Sequence, residues 1–126
     1  MASSQPPRIC VVDDDEAVRD SLEVLLSTRG LDVKTFESAQ RFLDGVEGLA
    51  CDCLLLDMHM PEMTGLALLV ALRERGNRAP AIVITGGADP TLAANVQRAG
   101  ALGLLSKPVG EDELFAWVDR ALAGSR

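Results

Sequence analysis

Four short apolar runs set the terms for how this chain can fold: "RICVV" (8–12), "CDCLLLD" (51–57), "PAIVIT" (80–85) and "ALGLLS" (101–106). Runs of this length without alternation read as strands buried on both faces. Such strands need helices above and below them, and the intervening segments supply the helices. Val18, Leu22, Leu25 and Leu26 form one helical stripe, which Gly30 closes. Ser38 can cap a short helix carrying Ala39, Phe42, Leu43 and Val46. Leu66, Leu69, Val70 and Leu72 lie on a helix ending near Arg75 and Gly76, and "MHMPEMTG" before it is a loop, because Pro61 disfavours a helical Met60. Asp89 and Pro90 suit the N-cap and first position of a helix through Ala99. Leu114, Trp117, Val118 and Ala121 mark a last helix to about Ala123. "LDVKTF" (31–36) alternates apolar and polar residues and fits an edge strand. The result is five βα units, hence an α/β fold with a five-stranded parallel sheet and five helices on both faces. The flavodoxin-like doubly wound order 2-1-3-4-5 is the expected topology, with ligands outside the carboxyl ends of the strands.

The 126 residues suffice for one domain with a real core. "MASSQPP" (1–7) reads as a flexible tail and 8–124 as the domain. No apolar run reaches membrane-spanning length, and no secretory signal opens the chain. A net charge of −7 and 3% aromatic residues argue against nucleic-acid binding by this domain. Cys10, Cys51 and Cys53 make an odd count. Cys51 and Cys53 would share a face if both lay on a strand. Three buried reduced thiols in a cytoplasmic protein fit this count; a metal–thiolate site is the alternative.

The carboxyl-edge rule sorts the polar residues. The first strand ends in Asp13 and Asp14, the third in Asp57, the fourth in Thr85, the fifth in Ser106 and Lys107. Three carboxylates, a hydroxyl and an ammonium thus meet in one cleft. Crowded carboxylates have raised pKa values unless a cation joins them. Hard oxygen ligands without thiolate select Mg²⁺ or Mn²⁺. Such a cation leaves positions for a substrate oxygen, typically of a phosphoryl group. No phosphate-binding glycine loop and no serine nucleophile elbow are present. A carboxylate can itself attack phosphorus, and Asp57 is the candidate. Asp15 and Glu16 read as ordinary helix-terminus acids.

The acidic pair after the first strand, "LLLDMHMP" after the third, "VITG" after the fourth and "SKP" after the fifth resemble bacterial response-regulator receiver domains. The resemblance covers roughly Arg8 to Ala123. "VDDDEAVRDSL" and "DMHMPEMTG" look most like receivers that precede helix-turn-helix output domains. The resemblance implies that Asp57 takes a phosphoryl group from a histidine kinase or phosphotransfer protein. It implies Mg²⁺ held by Asp14, Asp57 and the His59 backbone carbonyl, with Asp13 acting mainly through water. Thr85 and Lys107 would contact the phosphoryl oxygens, and Lys107–Pro108 would be cis. The face of the fourth helix, fifth strand and fifth helix would then signal to an output domain or partner, or join a homodimer. The chain would be a receiver cut from a longer protein or a single-domain regulator, with the first favoured.

Two positions depart from the family pattern. Leu104 stands where Tyr, Phe or His often precedes the lysine by three, and Val109 where Phe commonly follows Lys-Pro. The first removes the usual partner of the threonine and leaves output through helix shifts; the second implies looser packing under that loop. The missing ring also keeps in view a phosphate-independent interaction module. A third reading, an Mg²⁺-dependent phosphatase working through an aspartyl phosphate, would want an acid two residues after Asp57, where His59 stands. His59 itself reads either as a solvated loop histidine or as a group tuning water attack on the acyl phosphate. Met58, Met60 and Met63 read as adaptable packing, and Trp117 as core or dimer-face packing.

Overall fold

In a computed structural model, which describes residues 5–124, strands and helices alternate throughout. The order is β1 (Arg8–Val12), α1 (Glu16–Ser27), β2 (Asp32–Phe36), α2 (Ala39–Gly45), β3 (Cys53–Asp57), α3 (Gly65–Glu74), β4 (Ala81–Thr85), α4 (Pro90–Arg98), β5 (Gly103–Ser106) and α5 (Glu111–Gly124). All five strands are parallel, in the order β2-β1-β3-β4-β5. This is the expected doubly wound topology. Of the expected tail, residues 1–4 lie outside the described residues.

Alternation along the strands divides the core in two. Cys10, Val12, Leu54, Leu56, Ala81 and Val83 face α2, α3 and α4, where Phe42, Leu68, Leu69, Leu72 and Val96 meet them. Ile9, Val11, Cys53, Leu55, Ile82 and Ile84 face α1 and α5, against Leu22, Leu26, Leu114 and Val118. A one-residue slip of any central strand would exchange these sets, so the two helical layers fix the register. β2 is the half-buried edge, with Lys34 exposed at its middle. Asp15, Ser38, Thr64 and Asp89 cap α1 to α4 through their side chains.

The cysteines correct the sequence reading. Cys10 and Cys51 form a disulfide across a Cα separation of 6.1 Å, so neither the three reduced thiols nor a metal–thiolate cluster describes them. Nor do Cys51 and Cys53 share a face. The ladder to β1 begins at Cys53, opposite Ile9, and Cys51 lies before it. Cys51 packs with the α2–α3 side, while Cys53 is buried on the α1–α5 side. Cys53 remains a free thiol, pushed up to about 12 by burial and, secondarily, by the charge of Asp52.

Two close approaches fix the sheet's carboxyl edge and the far face. A Cβ on Gly65 would lie 2.5 Å from the Asp57 carbonyl oxygen, so α3 begins directly against the end of β3. A Cβ on Gly103 would lie 2.6 Å from the Trp117 ring, so the indole of α5 packs directly against the start of β5, with Arg120 over the ring at 5.0 Å.

Candidate functional site

The parallel sheet brings Asp13, Asp14, Asp57, Thr85 and Lys107 to one edge. Asp13 follows β1 directly; its amide donates to Phe36 O, and its carbonyl accepts from Arg19 Nη1 at 2.8 Å. Its Oδ1 accepts the Asp15 amide at 2.9 Å, which turns the chain into α1. Asp57 closes β3 opposite Ile84 of β4. Thr85 closes β4, and its carbonyl accepts the Lys107 amide at 2.8 Å, extending the β4–β5 ladder to the lysine. The Lys107–Pro108 peptide is cis.

Asp13, Asp57 and Thr85 are 1%, 2% and 0% exposed, although two of them are acids. Asp14 is exposed at the mouth. One oxygen from each of the three carboxylates can be chosen so that all lie within 4.8 Å of one another. Lys107 Nζ sits 3.1 Å from Asp57 Oδ1 and 3.6 Å from Asp13 Oδ2. Those two oxygens are fully buried and accept no well-directed hydrogen bond, so the ammonium is their compensation among the described residues. Burial holds the Asp13 carboxyl above the ordinary carboxylate value, and the charge of Asp57 adds to this. Burial opposes the Lys107 ammonium, but the Asp57 and Asp13 carboxylates outweigh it and raise the lysine above its usual value.

Three acids against one lysine leave a deficit of positive charge. Buried carboxylate oxygens without directed donors are suited to a hard divalent cation, and the all-oxygen donor set fits Mg²⁺ rather than zinc. Asp13, Asp14 and Asp57 are the side chains that could hold it.

His59 is exposed on the loop after β3, yet its Nε2 lies 2.9 Å from Thr85 Oγ1. The Gly87 amide donates to the same hydroxyl oxygen at 3.2 Å. The sequence reading of His59, a solvated loop histidine or a group tuning water attack, does not include this bond, and it does not single out Arg19. The β3–β4 register carries the first signal, since it sets the residues beyond Asp57 beside those beyond Ile84. Leu104 is half-buried in the layer of α3 and α4. Val109 lines an open groove of about 600 Å³ beside Lys107, bounded also by Val18, Leu22, Leu25 and Pro108. No described helix is long and apolar enough to cross a membrane.

Comparison with known proteins agrees with this geometry. The family described as "response regulator receiver domain" matches residues 9–119. The response regulator protein TmoT of Ectopseudomonas mendocina is 42% identical over 120 residues, 95% of this chain and 54% of that protein. The transcriptional regulatory protein FixJ of Bradyrhizobium diazoefficiens is 39% identical over 114 residues, 90% of this chain and 56% of FixJ. The chain thus spans about half the length of these relatives. A CheY-like receiver domain from Methanospirillum hungatei superposes with a TM-score of 0.89 at 28% identity, covering 96% of this chain and 97% of that one. With its sheet order, its acidic carboxyl edge and these matches, the chain belongs to the response regulator receiver domains of two-component systems.

Proposed function

We propose that residues 8–124 act as a phosphorylation-controlled switch and that Asp57 is the phosphoacceptor. The observation that carries this reading is the pair of buried carboxylates, Asp13 and Asp57, each with one Oδ atom whose compensation among the described residues is the Lys107 ammonium. In this reading an Asp57 carboxylate oxygen attacks phosphorus. The bond from phosphorus to the donor's imidazole nitrogen breaks, and nitrogen leaves with the bonding pair. Asp14, Asp57 and the His59 carbonyl would hold Mg²⁺, or Mn²⁺ in its place, with Asp13 acting mainly through water, and the ion would supply charge neutralisation for the incoming group. Lys107 pairs with a phosphoryl oxygen, and the Thr85 hydroxyl donates to another. Phosphoryl transfer depends on such positioning and electrostatic stabilisation more than on covalent help. The same residues assist loss of the phosphoryl group to water.

The donor in this reading is a histidine kinase or phosphotransfer protein in the cytoplasm. The output runs through α4, β5 and α5 to an output domain or partner, or to a second copy of the chain. A net charge of −7 makes direct nucleic-acid binding by this domain unfavourable. A phosphatase would need a proton donor two residues after Asp57; His59 stands there, and its Nε2 is taken up by Thr85. A phosphate-independent module draws its one support from Leu104, which offers the threonine no aromatic partner.

Intact mass after incubation with acetyl phosphate and Mg²⁺ tests the proposal. Wild type should gain one phosphoryl group, and Asp57→Asn or wild type without Mg²⁺ should gain none. A folded wild type that gains nothing under any condition would favour the phosphate-independent module.

A further inference from the structure

Thr85 is completely buried, and a hydroxyl carries one proton to donate. Its oxygen already accepts from the Gly87 amide. Among the described residues, the acceptor its own proton can reach is His59 Nε2, at 2.9 Å. A buried donor without an acceptor is costly, so satisfying the Thr85 proton makes the hydroxyl the donor and His59 Nε2 the acceptor of this bond. The Leu104 side chain has no polar atom to compete for that proton. The histidine is aimed by its neighbours. The Met58 amide donates to Ile84 O at 2.7 Å, the Met58 carbonyl accepts from the Gly65 amide at 3.3 Å, and Met60 is buried.

We propose that His59 is a positioning residue that holds the Thr85 hydroxyl proton while Asp57 is unphosphorylated and yields it when a phosphoryl oxygen arrives. The inference rests on the reading of Asp57 as phosphoacceptor. An anionic phosphoryl oxygen and the imidazole are rival acceptors for one proton. The bond to His59 therefore raises the threshold for engaging Thr85. Its effect is that of one hydrogen bond to a neutral acceptor, a factor of about 2–10 in occupancy. The threonine is thus partnered from the β3 loop, on the side of the phosphoryl group itself, instead of from β5.

The probe is beryllofluoride with saturating Mg²⁺, its uptake at Asp57 followed by fluorine NMR. His59→Ala should lower the half-saturating beryllofluoride concentration by about 2- to 10-fold. His59→Gln, which keeps an acceptor oxygen, should restore part of the wild-type threshold. In a Thr85→Val background His59→Ala should change nothing. Nitrogen-15 NMR of the imidazole without any phosphate mimic should show His59 Nε2 unprotonated in wild type, and protonated in Thr85→Val. Equal or weaker uptake by His59→Ala, or a protonated Nε2 in wild type, overturns the latch alone. Wild type that takes up no beryllofluoride overturns the phosphoacceptor reading, and the latch with it.

Discussion

The two edges of the sheet carry acids under opposite conditions. At the amino edge Asp32 Oδ2 accepts from Arg8 Nε at 2.7 Å, and Asp52 Oδ2 accepts the Arg8 amide at 2.8 Å. The Asp52 amide returns a bond to the Arg8 carbonyl, so the start of β1 and the approach to β3 clasp each other. These acids are partly exposed and each has a directed donor. At the carboxyl edge Asp13 and Asp57 are buried, and each leaves an oxygen with no directed donor. Burying charge without full compensation is unfavourable. One edge is therefore satisfied as it stands, and the other keeps an acidic pocket that could hold a metal ion.

The largest effect is expected in the satisfied half, where the disulfide ties β1 to the segment before β3. Cys10 and Cys51 are 41 residues apart in sequence. Closing a loop of that size is worth about 4 kcal/mol on the chain-entropy account. Denaturant unfolding with and without a thiol reductant should show a loss of that order, and Cys51→Ser under oxidising conditions should match the reduced wild type. Little change on reduction would place the strength of that half in its apolar packing alone.

Mg²⁺ should act on the other edge. A ligand at a hundred times its dissociation constant adds about 2.7 kcal/mol to folding stability. Thermal unfolding of wild type should rise with Mg²⁺ accordingly, and Asp57→Asn should lose most of the response. Asp52→Asn should keep it in full. A response lost equally in both variants would erase the distinction between the edges.

Gly65→Ala should cost about 2 kcal/mol, because the new Cβ meets the Asp57 carbonyl and the backbone must shift. The same shift should weaken Mg²⁺ binding, which calorimetry would read. This contact marks a limit of what the sequence tells. The five βα units, the doubly wound order and the gathering of Asp13, Asp57, Thr85 and Lys107 at one edge are legible, because strand-length apolar runs end in polar residues and parallel strands share an edge. "PEMTG" identifies a loop, but not that α3 starts against Asp57. The disulfide is illegible for a related reason. Cys51 looks like part of the third strand, and only the ladder's start at Cys53 turns it toward Cys10. The His59–Thr85 bond spans 26 residues and depends on the β3–β4 register.

The pH dependence of stability should separate the edges again. Asp13 has a raised pKa in the folded domain, so the fold holds its proton more tightly than the unfolded chain does. Its contribution is fully present below the ordinary value of 3.8 and is lost as pH rises through the higher folded value. Metal-free wild type should therefore show a component of stability that falls with rising pH in that window, by at most about 1.4 kcal/mol per pH unit. Asp13→Asn should remove it. Lys107 is also raised, so its contribution persists through neutrality and is lost only as alkaline pH passes the folded value. Lys107→Met should abolish that alkaline loss.

The smallest effect belongs to the Arg8–Asp32 pair. Its geometry is good, but the side chains are 29% and 38% exposed, and water screens such pairs. A double-mutant cycle of Arg8→Met and Asp32→Asn should give a coupling of about 0.2–1 kcal/mol, shrinking as salt is added. The Mg²⁺ response should be untouched in all three variants, since no residue of the pair reaches the carboxyl edge. The Arg8 amide would still donate to Asp52, so the clasp of β1 on the β3 approach should survive the loss of the side-chain pair. A coupling well above 1 kcal/mol that persists in high salt would mean that the amino edge, too, holds its charges in a screened, buried-like setting. The contrast between the edges would then rest on hydrogen-bond direction alone, not on exposure.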